Sequence, residues 1–287
     1  MSEHREAWRS YVGGVAWPTL LLALVVIALE AGAWSLCLLG ALPLWAGALV
    51  CTLATYLAFT VVHEASHGNV HGDVRAMRGV GELAGWVCAL PLLAPYPAFR
   101  VLHLRHHSFT NHPTKDPDFH VRGSGFFAVL VNCALIVPSY LRELFAGETS
   151  RTEQGRAVRA QSIVVLALMA IAMLGLALSG HGLEVLALWL VPAIVADTML
   201  AFAFDWLPHH PHEERRRFHD TRVIDSGLLA IVLLGQSHHL VHHLWPRVPF
   251  YRYVDVFRAS RAELERQGAP IVDPLARLRA RLSPSCG

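Results

Sequence analysis

Between residues 10 and 74, and again between 160 and 214, the chain carries neither lysine nor arginine, all 24 of which lie outside these windows. Each window is apolar and holds two runs of about 20 residues, the helical length that crosses a hydrocarbon layer of about 30 Å. A chain so divided is predicted to be an all-α membrane protein. It has two transmembrane hairpins and so four crossings, over about 17–36 and 43–63, then 161–178 and 183–204. Basic residues flank both windows, so the positive-inside bias puts the flanks in the cytoplasm and the turns near 37–42 and 179–182 on the far side. A multi-pass protein of the cell (inner) membrane is expected. Composition agrees, with 16% charged residues and 54% hydrophobic ones where a soluble domain has about a quarter charged. A net charge of +2 gives no field for nucleic acid.

The remaining segments follow from these spans. Met1 to Tyr11 is mixed in charge and leads into an apolar run too long for a signal-peptide core, so the first span is expected to be retained. Cysteines 37, 51, 88, 133 and 286 form no CxxC, and no disulfide framework is expected. Residues 79–100 are apolar but broken by prolines 91, 95 and 97, and read as interfacial or re-entrant. Gly125 to Leu141, interrupted by Asn132 and Pro138, is placed along the interface. Residues 227–234 form a short apolar stretch, and 254–287 a cytoplasmic tail with one amphipathic helix near 253–266. Without repeats or linkers, 1–287 reads as one domain.

Histidine is distributed as unusually as charge. The stretch His103-Leu-Arg-His-His-Ser-Phe-Thr-Asn-His112 puts four imidazoles into ten residues, and His63-Glu-Ala-Ser-His67 and His239-Leu-Val-His242-His243 share its spacing. Imidazole suits zinc, copper, iron and nickel, and one tetrahedral zinc is saturated by four ligands. The eight histidines 63, 67, 103, 106, 107, 239, 242 and 243 therefore point to two metals. They can meet only on one side of the membrane, which is why 79–100 and 122–160 are not read as crossings. Continuing the helix past the second span would stack His63, His67 and His71 on one stripe. His181 falls in the far-side turn and reads as a plain loop residue.

Metal-bound histidine usually donates its other N–H to a carboxylate or carbonyl. Asp205, four residues before His209, together with Asp116, Asp118 and Glu64, are candidates for that outer role. Asp197 lies inside a span, where an ionisable residue is a functional hypothesis by default. Two rival readings use the same residues. His63-Glu-Ala-Ser-His67 matches the HExxH signature of a zinc protease, for which Asp197 would supply a further ligand, but this leaves six clustered histidines without a role. A metal carrier would need polar residues through its spans, which hold few besides Glu30, Glu184 and Asp197.

The clusters HxxxH, HxxHH and HxxHH, in that order around a pair of hairpins, resemble those of the membrane fatty acid desaturase and hydroxylase superfamily. The resemblance extends from the first hairpin to about Tyr253. It implies two iron ions in a cytoplasmic histidine-rich cap, held by the eight histidines, with His209 of Trp206-Leu-Pro-His209 as a further ligand and His210 and His212 as rivals. It also implies O2 as co-substrate, an unactivated C–H bond of a lipid as the point of attack, and electrons from an external donor such as a ferredoxin. Within the superfamily, Trp206-Leu-Pro-His209, Gly235 through Pro246 and Asp116-Pro-Asp118 are most similar to carotenoid β-ring hydroxylases of the desaturase-like type. His238 and Glu64 depart from their usual pattern. The Phe-Thr-Asn111 and Asp-Pro-Asp118 run is shared with acyl desaturases, which keeps fatty acyl desaturation as the alternative.

Overall fold

A computed structural model describes residues 8–274; residues 1–7 and the end of the expected tail, 275–287 with Cys286, lie outside the described residues. Helices α1 (Trp17–Leu38) and α2 (Leu44–Ser66) form the first hairpin, with Pro18 in the first turn of α1 and Pro43 at the N-cap of α2, where its missing N–H costs nothing. Lipid tails are as apolar as leucine, so helices in a membrane associate through close backbone approach at small residues. That rule is visible at Gly47, where a Cβ would run into Cys37 Sγ and stand 2.7 Å from Leu188. Ala54 and Ala58 continue the same buried stripe, while Leu21, Leu24 and Leu49 face outward.

α2 stops at Ser66 and does not carry His71. Gly68 takes φ +72°, a left-handed turn that ends the helix, so His71 leaves the stripe shared by His63 and His67. Helix α3 (Arg78–Ala89) then runs down beside α2 and α1. Its end at Leu90 accepts a hydrogen bond from Trp189 Nε1 (3.0 Å) and lines one cavity with Leu38 and Leu176. The chain turns through 90–95, and α4 (Tyr96–Phe109) returns, Tyr96 filling the space beside Gly85. The expected re-entrant segment is thus a helical pair whose ascending arm carries the central histidine cluster.

α5 (Phe126–Ala134) and α6 (Ile136–Phe145) are bent by 59° where they join. Helix α7 (Glu153–Leu176) starts eight residues before the expected span, because Thr152 caps it by accepting from Gly155 N–H. It opens an apolar helical stretch, Glu153–His209, of 57 residues. Straight, that would be about 85 Å, far more than a bilayer needs. Gly180 at φ +97° divides it into α7 and a return arm, as the Ser179–Gly182 turn predicts.

The return arm alternates α8 (Gly182–Val185), a wide π turn at Leu186–Leu190, α9 (Val191–Leu200), a second π turn at Ala201–Trp206, and α10 (Leu207–His209). Pro192 and Pro208 stand at the starts of α9 and α10 and cannot donate to the preceding turn, and a widened turn accommodates each. Stretches Trp17–Leu38, Leu44–Ser66 and Glu153–His209 are each long and apolar enough to cross a membrane.

The cap is completed by β1 (Val223–Ile224), α11 (Gly227–Val232), α12 (His239–Leu244), α13 (Tyr253–Arg266) and β2 (Ile271–Val272), with β1 and β2 parallel. The amphipathic helix expected in a tail is α13, and it is no free appendage. Tyr253, Val256, Phe257 and Leu264 are buried against Leu240, Val241 and Leu244 of α12. Its apolar face holds the third histidine cluster in place.

Candidate metal centre

Adjacent residues on a helix point about 100° apart, whereas residues four apart share a face. The two His-His doublets use both facts. On α4, His103 and His107 share a stripe while His106 is turned away from it; on α12, His239 and His243 share a face while His242 is turned away. The nine histidines accordingly fall into two groups. His63, His67, His103, His107 and His242 form one, His106, His209, His239 and His243 the other, and within each the ligating nitrogens all lie within 4.8 Å of one another.

Their Nε2 atoms face each other. In the first group, His63 and His242 approach to 2.9 Å, His67 and His103 to 2.8 Å, and His242 and His107 to 2.8 Å. In the second, His106 and His243 stand 3.3 Å apart, and His209 Nε2, though buried, meets no hydrogen-bond partner among the described residues. Four of the Nδ1 atoms point outward to partners. His106 Nδ1 donates to Asp116 Oδ1 (2.8 Å), with Asp118 Oδ2 at 3.2 Å. His209 Nδ1 donates to the Asp220 carbonyl (3.2 Å), and His239 Nδ1 to Gln236 Oε1 (3.1 Å). His242 Nδ1 lies 3.0 Å from the Tyr253 hydroxyl, which in turn bonds the Glu64 carboxylate.

At His209, His239 and His242 these partners take the Nδ1–H and leave Nε2 as a bare acceptor turned toward the other imidazoles, an arrangement suited to receive a cation. Burial, reinforced by the neighbouring imidazoles, holds His103, His107, His242 and His243 well below the usual histidine range, and burial takes His239 down to about 3. Neutral imidazole is the metal-binding form. His106 is the exception: burial alone would lower it, but Asp116 and Asp118 outweigh burial and hold it up at about 10. A metal ion would take the place of its Nε2 proton, leaving the Nδ1–H on Asp116. The donor set fits metal ions of the kind imidazole prefers, in two groups.

Beneath the first group lies an aromatic floor. Phe99 stacks on His103 with centroids 5.4 Å apart, Phe59 stacks on His63 at 5.8 Å, and Phe204 meets Phe59 at 5.3 Å. The floor separates the imidazoles from the apolar core of the spans and makes that side of the site dry.

His209 belongs to the second group, as expected, whereas His210 is exposed against Trp206 and His212 is buried outside both groups. Asp116 and Asp118 hold His106. Glu64 sits on the Nδ1 side of His63, 3.7 Å away, and bonds Asn69. A protease base would stand on the open side of the metal, and Asp197 joins neither group. His209 Nδ1–H is held by the Asp220 carbonyl and not by Asp205. Asp205, in the π turn at Ala201–Trp206, interacts with His106, Asp118 and Tyr140, so it stands beside the second group through His106. Sequence reasoning missed Asp220, Gln236 and Tyr253. Gln236 carried a weak signal, three residues ahead of His239, but Asp220 and Tyr253 are brought in by the tertiary fold alone.

Membrane-crossing helices surmounted by a buried, all-imidazole donor set define an integral-membrane metalloenzyme. Residues 39–274 match the family model for fatty acid desaturase, and the chain belongs to that family. It is 28% identical over 204 residues to the β-carotene ketolase of Paracoccus sp. strain PC1, covering 68% of this chain and 71% of that protein. The β-carotene ketolase of Paracoccus sp. strain N81106 is 29% identical over 200 residues, with the same coverage. The chloroplastic omega-3 fatty acid desaturase of Brassica napus is 24% identical over 239 residues, 72% of this chain and 58% of that protein. The protein is therefore a membrane oxidoreductase of the non-haem iron type, acting on lipid.

Proposed function

We propose that the nine histidines hold two irons and that the enzyme hydroxylates the β-ring of a carotenoid at the expense of O2. The observation that carries the two-metal reading is the division of the imidazoles into groups of five and four. Two reduced irons, when bound, supply the oxidising power that removes hydrogen from an unactivated C–H bond, with dioxygen as oxidant. The chain's own residues do the rest. Asp116, Asp220, Gln236 and Tyr253 aim the imidazoles by holding their Nδ1–H groups. The Phe59, Phe99 and Phe204 floor walls the first group on the side of the spans with apolar rings that keep water out, as chemistry on a substrate without polar handles requires.

Two lines support the ring as substrate: the likeness to proteins named β-carotene ketolases, and the Gln236-to-Pro246 and Trp206-Leu-Pro-His209 runs. Acyl desaturation is the second reading, favoured by the likeness to omega-3 desaturases. Co-expression with a ferredoxin system in a bacterium making β-carotene is expected to yield mono- and dihydroxylated carotenoids. Unchanged carotene beside new unsaturated acyl chains would overturn the ring assignment in favour of acyl desaturation.

The donor we propose is a ferredoxin, a reading supported by two Arabidopsis thaliana relatives whose names carry that word, both acyl-lipid omega-3 desaturases. The location we propose is the cell (inner) membrane, with the histidine cap in the cytoplasm and the whole chain acting as one domain. A cysteine placed at Ser179, exposed at the Gly180 turn, is expected to react with an impermeant maleimide added to intact cells, and one at Ser108 beside the cap is not. Labelling of Ser108→Cys alone would invert the topology.

A further inference from the structure

The first metal group is closed by aromatic rings toward the membrane, and a cavity reaches it from the cap surface. A polar cavity of about 540 Å³ lies between the C-terminal end of α4 and the 213–216 loop, and His107 of the first group lines it with Phe109, Arg215 and Arg216. Three other large cavities among the described residues touch none of the nine histidines. Cations gather around the mouth. Arg215, Arg216 and Arg217 are exposed, and Arg105 and Lys115 lie against the Phe109 ring at 4.9 and 5.2 Å. Glu213, Glu214 and Asp220, which line the cavity, offset part of this charge, and Arg216 is paired with Glu214 at 2.9 Å; the five surrounding cations against three acids leave the rim positive.

We propose that this mouth is the docking surface for an acidic iron–sulfur carrier of the ferredoxin class, seated so that its cluster faces His107. The proposal rests on the donor reading above and adds the place and the forces. A funnel of this size admits water and dioxygen but no protein, so the carrier sits across the opening. His107 is the one of the nine histidines that lines this mouth, so it is the imidazole that a carrier seated there would face. Redox encounters of this kind bury small interfaces and depend on charge steering, which a basic rim supplies to an acidic partner. Each docking oxidises one reduced iron–sulfur cluster and delivers one electron. Conversion of one C–H and one O2 to an alcohol and water consumes two electrons and two protons, hence two dockings, with the protons drawn from solvent.

The test uses the full-length protein in nanodiscs and a plant-type [2Fe–2S] ferredoxin, read first as a dissociation constant, which needs no turnover. The expected result is binding that weakens with added NaCl and a loss of about tenfold or more at low ionic strength in a Lys115→Glu/Arg215→Glu variant. Arg258→Glu, on the exposed side of α13 and outside the cavity, is expected to bind as the parent does. The second readout is anaerobic reduction of the bound iron. The double variant should be slow with reduced ferredoxin and normal with dithionite. Unaltered binding and reduction in the double variant would overturn the docking surface while leaving the donor reading intact. Reduction by dithionite with none by ferredoxin would overturn the donor reading, and this surface with it.

Discussion

Replacing His242 with alanine is expected to reduce turnover to background and to lower the iron content from about two per chain toward one, read by metal analysis of anaerobically purified protein. The position makes the effect large. His242 Nε2 is the atom that meets both His63 (2.9 Å) and His107 (2.8 Å), so the first group loses its one member from α12, which touches both α2 and α4. The same ring passes its Nδ1–H to Tyr253 and thence to Glu64, so its removal also leaves that buried carboxylate with one link fewer to the cap. His107→Ala should behave alike. His181→Ala, at the exposed turn before the return arm, should keep iron and activity. A chain purified with one zinc and no iron would instead sink the two-iron reading.

Much of the fold was legible because the bilayer imposes simple rules on a sequence. The four arms can be read from where lysine and arginine are missing. The re-entrant course of 79–100 can be read from the requirement that His63 and His103 share one side. What could not be read is local geometry that departs from the ideal helix. Gly68 turns left-handed and takes His71 off its stripe, and a π turn sets Asp205 beside His106 where regular spacing pointed to His209. In both places regular helical spacing does not carry past the break. The inner donors were legible because i, i+3 and i+4 spacing is a property of sequence. The outer partners Asp220 and Tyr253 were not, since each reaches its histidine across a tertiary contact: Asp220 from eleven residues beyond His209, Tyr253 through the packing of α13 on α12.

Asp116→Asn is expected to cost well over tenfold in activity and to empty the second metal group before the first, although the side chain barely changes in size. Asp116 accepts three hydrogen bonds at once. Oδ1 takes His106 Nδ1–H at 2.8 Å and the Asp118 backbone N–H at 2.9 Å, and Oδ2 takes the Asn111 backbone N–H at 2.6 Å. An amide has one oxygen, so whichever way it is turned its NH2 group faces a donor. Turned one way, it meets His106 and pushes that imidazole off axis; turned the other, it meets Asn111, whose side chain ties this loop to the carbonyls of Glu214 and Asp220. The loss of negative charge adds to this, because Asp116 and Asp118 together favour a cation at His106 against the cost of burial. Asp118→Asn should be milder, since its amide oxygen can still accept from Tyr140 while Asp116 keeps His106 in place. Iron content and turnover for the two variants, measured side by side, check the ranking. Equal losses would mean that the carboxylates act only through their charge, and the geometric account of Asp116 would fail.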